Sequence, residues 1–93
     1  MQAELKVPQG KLVRVKFDVA ENLIRNIKFT GDFFLHPEDD LEKLESALEG
    51  KPADEEALKD AVLGFFKDSG SILVGAKPES FLTVILAALE SKV

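Results

Sequence analysis

Cysteine, tryptophan and tyrosine are all missing from this 93-residue chain. Without cysteine there is no disulfide, no thiolate nucleophile and no thiolate metal ligand. The fold must then live on packing alone, or on packing plus a partner. Histidine occurs once, as His36. A Ser-His-Asp triad would have to bring that residue beside Ser46, Ser69, Ser71, Ser80 or Ser91, none of which sits in a Gly-x-Ser-x-Gly elbow. A zinc site needs three or four nitrogen or sulfur ligands, which one histidine cannot supply. The glycines at 10, 31, 50, 64, 70 and 75 fit neither the Walker nor the dinucleotide spacing. No apolar run reaches the ~18 residues of a membrane span, and Met1-Gln2-Ala3-Glu4 opens no signal-peptide core. These absences argue for a soluble, cytoplasmic, single-domain protein over residues 1–93 with no catalytic activity of its own.

What is present is a globular mixture, 45% hydrophobic and 31% charged, with a net charge of −5. The charge is divided along the chain. Residues 1–30 carry Lys6, Lys11, Arg14, Lys16, Arg25 and Lys28 against Glu4, Asp18 and Glu21, a net of +3; residues 31–93 carry a net of −8. An acidic protein is a poor general binder of nucleic acid, because phosphate contacts supply most non-specific affinity. The basic third either offers a local surface to an acidic partner or is a solvated strand face that discourages edge pairing.

Periodicity divides the chain in the same place. From Leu12 to Val19, Val13, Val15, Phe17 and Val19 alternate with Arg14, Lys16 and Asp18, the period of two of a half-buried antiparallel strand. Glu4–Val7 forms a shorter strand closed by a Pro8-Gln9-Gly10 turn, and Leu23–Thr30 returns after Ala20-Glu21-Asn22. Strict alternation puts Leu23, Ile27 and Phe29 on one face of that return strand and Ile24 with Asn26, Lys28 and Thr30 on the other. Helical spacing then takes over. Pro37 opens the first helical turn, followed by Glu38-Asp39-Asp40 at the positive end of the dipole and a Leu41, Leu44, Leu48 stripe. His36 with those three acids assembles too few ligands for a cation site, so no metal is assigned, and Glu55-Glu56 read as another helix start. Asp54 caps a second helix that Gly70 closes, with Leu58, Ala61, Val62, Phe65 and Phe66 as its buried face. Ile72 and Val74 form a brief strand or pack inward. A third helix from Pro78 to Ser91 is apolar almost all round, which implies either a central position or cover by another chain. The expected fold is α+β: a small two-layer domain with antiparallel strands within residues 3–30 packed against helices near 38–49, 54–69 and 78–91.

One local cluster, Thr30-Gly31-Asp32-Phe33-Phe34, asks for explanation. Glycine after a strand supplies unusual backbone, and the aspartate can bond to nearby N–H groups. The phenylalanines then either anchor the first helix to the sheet, or one of them, or Asp32, is presented outward to a partner.

The runs Gly10-Lys11-Leu12-Val13-Arg14-Val15 and Ile24-Arg25-Asn26-Ile27-Lys28-Phe29-Thr30-Gly31-Asp32-Phe33-Phe34 resemble the accessory C-terminal domain of bacterial and archaeal lipoate–protein ligases. The Leu/Glu helix Asp40-Leu41-Glu42-Lys43-Leu44-Glu45, the break at Leu48-Glu49-Gly50 and the late Pro78-Glu79-Ser80-Phe81-Leu82 follow the same order. The resemblance is weakest between residues 67 and 77. It implies an enzyme subunit rather than an enzyme. Such ligases activate lipoate with ATP to lipoyl-AMP and pass the acyl group to a lysine of a lipoyl carrier domain. ATP, Mg and lipoate are expected in the separate catalytic subunit, with no cofactor bound by this chain alone. In some archaea the small domain is a separate polypeptide, which fits a chain beginning at Met1. The expected partner is that catalytic subunit in a heterodimer, and indirectly the lipoyl carrier domains, with no nucleic acid and no membrane. Arg14, Lys16, Asp32 and Phe34 are the residues expected to touch it, together with the last helix. An interaction module unrelated to lipoate chemistry remains the alternative.

Overall fold

The computed structural model describes residues 1–7 and 11–90. The expected turn at Pro8-Gln9-Gly10 and the end of the last helix at Ser91 lie outside the described residues. Strands β1 (Gln2–Lys6), β2 (Leu12–Ala20) and β3 (Leu23–Gly31) form an antiparallel sheet in that order. β4 (Phe34–His36) and β5 (Ile72–Val74) pair into a separate two-stranded ribbon. The helices are α1 (Asp40–Leu48), α2 (Glu55–Ser69) and α3 (Pro78–Glu90). α3 packs on β1 and β2, α1 packs on β3, and α2 lies across both helices. The expected α+β architecture is the one the chain adopts.

The alternation of β2 holds: Val13, Val15 and Phe17 are buried, while Arg14, Lys16 and Asp18 face solvent. The β2–β3 turn needs two residues of positive φ, and Glu21 and Asn22 supply them.

β3 departs from strict alternation. Ile24 is buried along with Ile27 and Phe29, and Leu23 is only half-buried, so the expected assignment of Ile24 to the outer face is wrong. The pairing shifts by one residue between Lys16↔Lys28 and Asp18↔Arg25, so that Phe17 faces an extra residue on β3. Asn26 takes up the extra length at φ 57, a conformation asparagine tolerates better than most residues. The bulge lets two isoleucines three apart enter one core.

Helix α1 starts later than expected. Asp39 is its N-cap, and Pro37 lies in the preceding turn, where its carbonyl accepts the Asp40 N–H at 2.9 Å. The His36–Pro37 peptide is cis. α2 begins as read from the sequence, with the Asp54 side chain accepting the Ala57 N–H at 2.9 Å, and ends at Gly70 in the left-handed region. Of its expected apolar face, Leu58 and Val62 are fully buried, and Ala61, Phe65 and Phe66 are partly so.

The apolar α3 is covered from within. Phe81, Val84, Ile85 and Ala88 are fully buried, and Leu82, Leu86 and Leu89 are half-buried against the same core. It lies between the sheet and α2, so its composition needs no second chain to explain it. Phe81 is the aromatic centre, with Phe29 and Phe33 edge-on at 5.1 Å each and Phe66 at 5.6 Å. Each such pair adds about 0.5–1.5 kcal/mol beyond area burial.

Candidate partner interface

The Gly31-Asp32-Phe33-Phe34 turn carries the chain out of the sheet and into the ribbon. Gly31 has φ 148, and a Cβ there would sit 2.0 Å from the Leu12 carbonyl oxygen. The glycine is therefore required by a close approach of two strands. One residue on, the Asp32 N–H donates to that same Leu12 oxygen at 2.8 Å. This fixes the direction of the next two side chains. Phe33 turns inward onto Phe81, and Phe34 turns out with 64% of its surface exposed. Phe33 thus anchors the last helix rather than the first, and Phe34 is the phenylalanine that faces outward.

Ribbon register completes the surface. Phe34 pairs with Val74, Leu35 with Leu73, and His36 with Ile72. Side chains alternate across a strand, so Leu35 and Leu73 point to the protein while Phe34, Val74, Ile72 and His36 share the outer face. Ile72 and Val74 are 64% and 54% exposed, and with Phe34 they are the exposed large hydrophobic residues among those described. Ile72 and Val74 do not pack inward. The ribbon is tied down at one end by the Ser71 hydroxyl, which donates to the buried Asp40 carboxylate, itself 3.7 Å from Lys43 Nζ.

Arg14 and Lys16 occupy a different surface, the solvent face of the three-stranded sheet. Arg14 Nε lies 2.9 Å from Glu4 Oε1, and Lys16 stands directly across from Lys28. Like charges opposed across a pair of strands are unfavourable. Lys28 leans away toward Glu45, 3.6 Å from its carboxylate. A depression of ≈ 570 Å³ lies between these residues and Thr30. The four expected contact residues thus fall into two groups: Arg14 and Lys16 on the sheet, Phe34 on the ribbon with Asp32 at its start. Sequence reasoning did not join Ile72 and Val74 to Phe34 on one surface; their only signal is two β-branched residues two apart in a short segment.

The free edge of β3 is closed by α1 rather than offered for pairing. Glu45 Oε2 accepts the Phe29 N–H at 2.7 Å, and the Glu49 carboxylate accepts the Asn26 N–H at 2.9 and 3.1 Å. Ile24 exchanges backbone bonds with Gly50 and Lys51. Such cover removes a template for unwanted strand addition. Among the described residues no group of three or more His, Cys, Asp or Glu side chains could hold a metal ion. No helix among the described residues is long and apolar enough to cross a membrane.

A family model, the bacterial lipoate protein ligase C-terminus, matches residues 1–85. The chain belongs to this family. It is 36% identical over 74 residues to lipoate-protein ligase A subunit 2 of Thermoplasma acidophilum, covering 80% of this chain and 76% of that one. It also superposes, with a TM-score of 0.81 and 33% identity, on a chain in the solved structure of an archaeal bi-partite lipoate protein ligase and its E2 lipoyl domain from the same organism. That superposition covers 91% of this chain and 92% of the other.

Proposed function

We propose that this chain is the non-catalytic accessory subunit of a two-part lipoate–protein ligase, working in the cytoplasm as a heterodimer with the catalytic subunit. The observation that carries the reading is family membership across residues 1–85 together with a relative that is itself a numbered ligase subunit. ATP, Mg and lipoate belong to the catalytic subunit. There the lipoate carboxylate attacks the α-phosphorus, pyrophosphate leaves, and a carrier lysine later displaces AMP from lipoyl-AMP.

The role of this chain is in the first of those steps. A subunit that brings no reacting group accelerates a reaction by contacts that differ between two states of its partner. The contacts proposed here favour the adenylation-competent state, in which a closed loop excludes water and holds the carboxylate in line with the phosphate. Transfer from preformed lipoyl-AMP skips that step. The test measures carrier lipoylation by the catalytic subunit alone, supplied with lipoate plus ATP or with lipoyl-AMP, and then adds this chain. The first reaction is expected to be slow and rescued, the second to run without help. Equal dependence of both refutes the activation role, and dependence of neither refutes the accessory-subunit reading.

A further inference from the structure

We infer that the outer face of the β4–β5 ribbon, centred on Phe34, Ile72 and Val74, is the surface that docks on the catalytic ligase subunit. The inference rests on the accessory-subunit reading and adds to it the place of contact. Three features of the ribbon support it.

The first is composition. The exposed large hydrophobic residues among those described all lie on this face, brought together by the register Phe34↔Val74 and His36↔Ile72. They come from segments 38 residues apart, and the pairing turns three scattered side chains into one patch. The core is served from the same two strands by Leu35 and Leu73, which face the protein.

The second is area. The three side chains leave on the order of 300 Å² of apolar surface in water. A stable interface buries ~800 Å² on each partner, with an apolar centre and a polar rim. The ribbon is therefore the right size for the centre of one interface, and too small to be the whole of it. An aromatic residue in the middle of such a patch is where binding energy concentrates.

The third is charge. Asp32 stands two residues before Phe34, and Glu38 and Asp39 follow His36 within three. All three are exposed; of the cations, Lys77 follows β5 in sequence, and Lys43 at the Ser71 end of the ribbon lies 3.7 Å from the Asp40 carboxylate. An apolar centre with a mainly acidic rim calls for an apolar recess edged by lysine or arginine. The occupant is thus a recess of that chemistry on the catalytic subunit. A second copy of this chain would set two acidic rims against each other.

The experiment titrates the purified cognate catalytic subunit with the wild-type chain, Phe34→Ala, the double variant Ile72→Lys/Val74→Lys, and the control Glu56→Ala, exposed in the first turn of α2, about four helical turns before β5 begins. Because the ribbon residues are exposed, the variants are expected to keep the wild-type circular dichroism spectrum and melting temperature. Phe34→Ala is expected to weaken binding by about thirtyfold or more, the double variant to abolish it, and Glu56→Ala to change nothing. Hydrogen exchange at residues 34–36 and 72–74 is expected to slow in the wild-type complex. If the wild-type chain binds and the ribbon variants bind equally well, the ribbon is not the contact, and the accessory-subunit reading survives without it. If the wild-type chain does not bind the catalytic subunit at all, that reading fails and this occupant fails with it. Loss of self-association in the variants, with heterodimer affinity unchanged, assigns the ribbon to a second copy and overturns the proposal.

Discussion

Replacing Glu45 is the sharpest probe of how this sheet is held. The residue is 7% exposed, and its Oε2 accepts the Phe29 N–H at 2.7 Å on the edge of β3. Glu45→Ala removes the acceptor and leaves a buried backbone donor without a partner. A hydrogen bond to a charged group contributes about 1.5–3 kcal/mol, and an orphaned buried donor costs about 1–3 kcal/mol. The Lys28 contact adds little, since that side chain is 71% exposed and its amine lies 3.6 Å away. The expected loss is about 2 kcal/mol, or roughly 8–16 °C in melting temperature for a domain of this size. Glu45→Gln keeps a carbonyl acceptor and is expected to lose about half as much. Glu42→Ala, exposed on the same helix, is expected to stay within ~0.5 kcal/mol of wild type. Urea and thermal unfolding followed by circular dichroism read all three, and faster exchange of the Phe29 amide in Glu45→Ala localises the effect. If Glu45→Ala is as stable as Glu42→Ala, or if glutamine is as damaging as alanine, α1 does not close the sheet edge by accepting that bond.

Two glycines are expected to respond oppositely to alanine. Gly31→Ala drives a Cβ to within 2.0 Å of the Leu12 backbone and is expected to cost more than ~3 kcal/mol, while Gly64→Ala meets nothing within 4 Å on α2 and is expected to stabilise by about 0.5–1 kcal/mol. Melting temperatures decide it, and equal shifts would contradict the close approach. Reversing charge at Arg14 and Lys16 together is expected to leave the fold intact, because the one ion pair they make among the described residues, Arg14 with Glu4, is exposed. If the basic sheet face steers the partner, the double variant associates several-fold more slowly, with a weaker salt dependence and an unchanged dissociation rate. Stopped-flow traces unchanged from wild type would remove that face from the encounter.

What the sequence makes legible here is what is settled within a few residues. The period of β2 follows from alternating valines and basic residues, and the start and stop of α2 follow from Asp54 and Gly70. The need for Gly31 is visible as a type of residue, but its cause, the Leu12 carbonyl, lies nineteen residues away. The bulge at Asn26 escapes a period-of-two reading because one inserted residue reverses the face of everything before it. Glu45 looks like a solvated helix residue, since its partner is a backbone N–H that every residue but proline carries. The strand at Ile72 and Val74 is legible only as one of two alternatives, because three-residue strands have no period to detect, and its pairing with β4 is a property of the folded chain alone.

The apolar residues show the same limit from the other side, and with a consequence for binding. α3 concentrates Phe81, Leu82, Val84, Ile85, Leu86, Ala87, Ala88 and Leu89 in one helix, which by composition alone implies either a central position or cover by another chain. The fold instead places that helix between the sheet and α2, where its four deepest residues lose all contact with water. Density of apolar residues along a sequence measures demand for burial, and a central helix meets that demand within the domain. A docking surface is what remains after the core has been filled. In this chain the remainder is small, non-contiguous in sequence and assembled by β4 and β5. The ribbon is therefore a better candidate for the ligase contact than the helix, although the helix has more than twice as many apolar residues.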